Sequence, residues 1–161
     1  QNLCEIAEFA CKYPVHVRFI EMMPIGYGSS FTGMSQEKIV SLLEERFGRL
    51  VPYEGEPLGN GPCKYYIVKG FQGKIGFISA ISHKFCSECN RIRLTSQGYL
   101  KTCLQYTAGR DLREVLRNGG TDEELKEIIK EALSEKPDGH HFREKAKEDD
   151  TESLCMAQIG G

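Results

Sequence analysis

Residues 85–104 read F-C-S-E-C-N-R-I-R-L-T-S-Q-G-Y-L-K-T-C-L. Cys86, Cys89 and Cys103 stand in a C-x2-C-x13-C spacing, and Arg91 and Arg93 follow the close pair. Two thiolates three residues apart can turn toward one metal. The intervening chain can bring the third beside them: 91–95 alternates like a short strand, Ser96-Gln97-Gly98 is turn chemistry, and 99–104 can return. This predicts a hairpin that delivers Cys103 to the pair. Three ligands leave one coordination position open. In a [4Fe-4S] cluster one iron would lack a protein thiolate; in a zinc site His83, three residues before Cys86, would complete Cys3His. Three reduced, buried thiols are the plainer alternative.

The arginines bear on that choice. On a strand, Arg91 and Arg93 would share a face roughly 7 Å apart, with Ile92 and Leu94 on the other. Two guanidiniums side by side suit a polyphosphate, because each fork can donate two charge-assisted hydrogen bonds. Pairing with acids of the downstream helix is the competing use. Charge is distributed to match the first reading: residues 83–117 hold seven Lys or Arg against three acids, whereas 121–152 hold twelve acids against six bases. Such a split can focus an anion near the cysteines, or draw two parts of the fold together.

The motif F-C-x2-C-N-R-I-R-L-T-x2-G-x-L-K-x-C-L resembles the carboxy-terminal cluster motif of the MoaA-type GTP 3',8-cyclases, radical S-adenosylmethionine enzymes that begin molybdenum cofactor synthesis. V-R-F-I-E-M-M-P-I-G at 17–26 is similar to that family's last barrel strand, and M-A-Q-I-G-G at 156–161 to its double-glycine terminus. The resemblance implies a second [4Fe-4S] cluster on Cys86, Cys89 and Cys103 whose open iron meets the guanine of GTP. Arg91 and Arg93, with Arg18, would hold the triphosphate. Met23 would contact S-adenosylmethionine, and Gly160 and Gly161 would thread beside substrate. The family's first cluster motif, C-x3-C-x2-C, does not occur in these 161 residues, and Cys4 and Cys11 are seven apart. The chain is therefore expected to match only the carboxy-terminal half and to bind GTP without cyclising it alone. The first cluster and S-adenosylmethionine would belong to an amino-terminal radical half, and the full-length form to a homodimer. Non-catalytic alternatives are a Cys3His zinc module or a small iron–sulfur electron carrier.

Composition narrows the classes. With 40% hydrophobic and 27% charged residues the chain is ordinary for a globular protein. A net charge of -2 gives no overall attraction for nucleic acid. An RNA-binding module would also need stacking aromatics near the arginines, and none is patterned there. No apolar run is long enough for a bilayer, and residues 1–8 lack a secretory pattern, so a cytoplasmic location without nucleic-acid or membrane partners is expected. Seven cysteines, an odd number, argue against a complete disulfide framework. Cys4, Cys11, Cys63 and Cys155 lie in no readable motif.

The expected fold class is α/β, more closely an α+β fragment: one or a few strand and helix units from the end of an incomplete TIM-type barrel, then an antiparallel sheet with flanking helices. Residues 1–34 would be the barrel end, 35–137 the cluster and GTP-binding domain, and 138–161 a flexible tail. Residues 1–12 carry helical spacing already under way at Gln1, as in a chain cut from something longer. Residues 15–20 read as a strand covered on both faces, with Arg18 needing Glu21 or a ligand. The loop at 26–33 has no phosphate-binding signature. Ser35 caps a helix to Phe47 that Gly48 ends. Strands are expected at 50–53, 64–68 and 74–79, forming with the cysteine hairpin an antiparallel sheet of about four strands. Helices follow at 110–118 and, after the capping box of Thr121 and Glu124, up to Pro137. His140 and His141 are expected to be solvated, and the terminal tail disordered.

Overall fold

The computed structural model describes residues 2–142, 152, 154 and 156–159. The chain divides into two compact units: Gln1–Met22 with Thr32–Glu88, and Met23–Phe31 with Cys89–Gly161.

In the first unit, helix α1 (Asn2–Lys12) precedes strand β1 (Val17–Ile20), and α2 (Gln36–Phe47) precedes β2 (Leu50–Pro52), β3 (Lys64–Val68) and β4 (Ile75–Ile78). The Ser35 side chain accepts the Lys38 amide at the start of α2, as its type predicts. The four strands form one mixed sheet in the order β1-β4-β3-β2. β1 runs parallel to β4 with Val17 opposite Ile75, and the other pairs are antiparallel. Ala7, Ala10, Ile39 and Leu43 from the helices and Phe19, Leu50, Val68, Ile75 and Phe77 from the strands make one apolar core. A fully buried side chain of this kind stabilises by about 1.5–3 kcal/mol relative to exposure.

Two expectations change here. The cysteine hairpin is not part of this sheet; β1 takes that place, because β4 has a free edge that Val17–Ile20 fills in parallel register. Nor is β1 covered on both faces, since Phe19 is buried while Arg18 and Ile20 are exposed. Arg18 consequently has no buried charge to neutralise. Its register partner is Gly76, whose other neighbour is Tyr65. With no side chain at Gly76, Arg18 Nε crosses the strand and donates to the Tyr65 hydroxyl at 2.6 Å. Glu21, the partner expected for Arg18, instead accepts the amides of Ile81 and Ser82, each at 2.8 Å, and the Ser82 hydroxyl at 3.1 Å.

The second unit holds β5 (Arg93–Leu94), β6 (Tyr99–Lys101) and β7 (Gly109–Asp111) in an antiparallel sheet, with helices α3 (Leu112–Arg117) and α4 (Asp122–Ser134). The capping box at Thr121 and Glu124 is present with both of its hydrogen bonds. Residues Gly109–Asp111 form a strand where a helix start was expected. Gly-Arg-Asp has little strand propensity of its own; pairing with the open edge of β6 supplies it. Asp111 then caps α3 by accepting the Glu114 amide at 3.0 Å. That hydrogen bond, with Arg113 nearby, holds the Asp111 carboxyl below the usual aspartate range. The overall class is the expected one, mixed helix and sheet with an antiparallel second sheet.

Candidate functional site

The hairpin predicted from residues 91–104 forms, in shorter strands. Arg93 pairs with Lys101 and Leu94 with Leu100. Gly98, at φ 81°, makes the turn, and the Thr95 hydroxyl accepts the Tyr99 amide at 3.1 Å. Cys103 thus lies two residues beyond β6. Cys86 opens a single 3-10 turn, Cys86–Glu88, that closes the first unit, while Cys89 and Cys103 belong to the second. All three thiols are free and half-buried. Among the described residues, no three His, Cys, Asp or Glu side chains are grouped as they would be around a metal ion. As a donor set, three free, half-buried thiols suit the soft ligation of an iron–sulfur cluster or zinc.

Arg91 lies just before β5 rather than on it, so the ladder does not fix the two arginines on one face. The cause is local. Lys136, just past α4, donates from Nζ to the carbonyl oxygens of Cys89 at 2.6 Å and Arg91 at 3.1 Å, drawing these carbonyls to an ammonium instead of a neighbouring strand. Arg91 is exposed and Arg93 half-buried.

Arg93 and Lys101 are register partners, so both cations project from the same face of the hairpin. Lys101 is buried and bound to the carboxylate of Glu152, which is buried with it. The Arg93 Nε is also buried, yet among the described residues it has no hydrogen-bond partner. A buried guanidinium nitrogen in that state costs free energy unless something supplies an acceptor. The acid-rich helix end takes Arg110, through Glu135 at 2.6 Å, rather than Arg93.

Cavities in the second unit point the same way. One of about 30 Å³ is lined by Cys103, Tyr106, Arg110 and Glu135, among others. A wider, open groove of about 570 Å³ is formed by α3, the following turn and α4, but Glu123, Glu124 and Glu127 line it with no basic side chain. With three carboxylates and no cation along its walls, the groove offers a polyphosphate no partner.

The remaining expected site residues are dispersed. Arg18 is in the first unit, engaged with Tyr65, whose ring also lies 5.5 Å from the guanidinium carbon. Met23 begins the second unit, half-buried, its carbonyl accepting the Ile25 amide at 2.8 Å. His83, the alternative zinc ligand, has Nε2 3.8 Å from a Glu37 carboxylate oxygen and Nδ1 3.1 Å from the Ser82 hydroxyl. Gly160, Gly161 and Cys155 lie outside the described residues.

His140 and the described part of the tail correct the expectation of a solvated stretch. His140 is buried against Phe142, with ring centroids 4.6 Å apart. His141 remains exposed, but its Nδ1 is 2.6 Å from the Tyr106 hydroxyl. Ile159 is fully buried and Glu152 nearly so. Burying Lys101 demands a counter-charge, and the counter-charge lies 51 residues further on, out of reach of any local pattern.

Comparison with known proteins adds the family. A family model described as Molybdenum Cofactor Synthesis C matches residues 15–142. A GTP 3',8-cyclase of Clostridium perfringens (strain 13 / Type A) is 45% identical over 161 residues, which cover 99% of this chain and 49% of the relative. The GTP 3',8-cyclase of Syntrophomonas wolfei subsp. wolfei is 41% identical over 163 residues, again 99% of this chain and 49% of the relative. That of Heliobacterium modesticaldum is 42% identical over 163 residues, 98% and 49%. The chain thus spans about half the length of the curated relatives it matches. With the match running through both units and across the cysteine hairpin, the chain belongs to the Molybdenum Cofactor Synthesis C family.

Proposed function

We propose that this chain is the substrate-binding part of a GTP 3',8-cyclase, which joins C3' of the ribose to C8 of guanine in the first step of molybdenum cofactor synthesis. Cys86, Cys89 and Cys103 hold a [4Fe-4S] cluster. Such a cluster, held by three thiolates, supplies one iron free to take a nitrogen or oxygen of the purine. Arg91, Arg93 and Arg18 bind the triphosphate. Met23 faces S-adenosylmethionine, and Gly160 and Gly161 lie beside substrate, where residues without side chains leave room.

The observation that carries this reading is the state of Arg93. On a hairpin where the neighbouring cation, Lys101, already has its carboxylate, Arg93 keeps a buried Nε with no acceptor among the described residues. A phosphate oxygen is the acceptor that matches both its charge and its fork. Lys136 supports the same use by fixing the backbone of Cys89 and Arg91, the residues that lead into β5. A radical source is required for the ribose hydrogen, and its C-x3-C-x2-C motif is not in these 161 residues. In our reading the first, radical-generating cluster and S-adenosylmethionine come from the rest of a full-length enzyme, and this chain alone binds GTP without turning it over.

Anaerobic reconstitution with iron and sulfide, followed by iron counting and GTP titration, tests the proposal. About four irons per chain and a GTP affinity that falls on Arg93→Gln are expected, with Cys103→Ala abolishing cluster retention. One tightly held zinc with no nucleotide affinity would overturn the proposal in favour of a Cys3His module.

A further inference from the structure

Glu152 does more than neutralise a lysine. Its carboxylate binds the Lys101 ammonium, and its backbone amide donates to the Gln105 carbonyl at 2.7 Å. Residues 101 and 105 flank Cys103 by two positions on either side, so one residue grips both shoulders of the turn that presents this thiol. All the parts are removed from solvent: Lys101 is 3%, Gln105 1% and Glu152 7% exposed. Glu152 Oε1 also accepts the Leu154 amide at 2.9 Å, and Ile159 further on is fully buried.

We propose that Glu152 is a positioning residue for Cys103: a clip from the terminal segment that fixes the third thiol. The inference rests on the reading of Cys103 as a metal ligand and adds a device that neither the cysteine spacing nor the arginines require. A buried ammonium left without its carboxylate is strongly unfavourable, so the turn at 102–104 and Glu152 order together. Coupling of this kind is reciprocal. Fixing Cys103 in a metal site therefore favours docking of the terminal segment, and docking the segment favours the site. Glu152 is in this way tied to both sides of the turn that carries Cys103.

Thiol alkylation of the metal-free chain, followed peptide by peptide, reads the clip directly. Glu152→Gln keeps the shape and removes the charge; it is expected to speed alkylation of Cys103 by about tenfold or more through local opening while leaving Cys89 at its original rate. The double variant Lys101→Met with Glu152→Leu leaves no buried charge unmatched and is expected to restore most of the protection. An unchanged Cys103 rate, or an equal acceleration at Cys89, overturns the proposal. Because no iron or nucleotide enters the measurement, a chain that fails to load a cluster leaves this result standing, and a failed clip leaves the cluster proposal intact.

Discussion

The two sheets of this chain are held by different forces. Around β1–β4 the buried residues are apolar, from Ala7 and Leu43 to Ile75 and Phe77. Among the described residues, every buried polar or charged side chain except Ser79 lies in the second unit: Lys101, Thr102, Gln105, His140 and Glu152. Apolar burial is non-directional and depends little on what is bound. Polar burial works only when each partner is present, and it fails sharply when one is withdrawn. The first unit has the character of a scaffold. The second is conditional, as suits the part that carries Arg93 and two of the three cysteines.

The comparison breaks most visibly at Lys101. Lys101→Met leaves the Glu152 carboxylate buried without its cation, and a loss of about 3–5 kcal/mol is expected in the second unit. Amide exchange should show it across β6 and β7 while β3 and β4 keep their protection; equal losses in both sheets would refute the division. Leu43→Ala makes the converse test. At 1% exposure Leu43 is core, and its truncation should cost about 2–5 kcal/mol, read from urea unfolding, with β3 and β4 losing protection before the cysteine hairpin does. A smaller effect sharpens the picture within the second unit. Thr121→Ala removes the capping hydroxyl of α4 and should cost about 1 kcal/mol, confined to exchange of that helix's first turn.

The smallest expected effect is a pH dependence in the first unit. His16 Nδ1 accepts the Lys74 amide at 3.1 Å, and burial, aided by Lys74 and Arg18, pushes the imidazole pKa below its ordinary value. The folded state therefore favours neutral imidazole. Its contribution is complete above the ordinary histidine range and is lost as pH falls through the lowered value. The protection factor of the Lys74 amide, taken against the intrinsic slowing of exchange in acid, should fall on acidification from pH 7 to about pH 5. His16→Asn, which retains an acceptor, should flatten that response; an unchanged wild-type protection factor would dismiss the hydrogen bond as the cause.

What could be read from the sequence follows how far each determinant reaches along the chain. The Ser35 cap, the Thr121 capping box, the strand at Lys64–Val68 and the turn at Gly98 are set by residues within four positions, and they stand where the sequence placed them. The hairpin that leads toward Cys103 was legible for the same reason, its turn being set by Gly98. Long-range pairings were not. The parallel match of β1 with β4, the reach of Arg18 over Gly76 to Tyr65, and the Lys101 pair with Glu152 each join residues 47 to 58 positions apart, and no local period encodes them. β7 was hidden differently: Gly109-Arg110-Asp111 is a strand only because β6 has an edge to offer. Arg91 was placed on a strand by alternation, which cannot foresee a lysine capturing the backbone carbonyls from α4's far end.

Glu21 has a practical corollary for anyone shortening this chain. Its carboxylate accepts from Ile81, Ser82 and the Ser82 hydroxyl, and its amide donates to the Ile78 carbonyl at 2.9 Å. The segment that leaves β4 for Cys86 is thus moored at its outset by a residue 60 positions before Ile81 in the chain. Trimming the amino-terminal helix and strand as dispensable would cast off that mooring as well, so a minimal version of the cysteine region has to begin well ahead of residue 21.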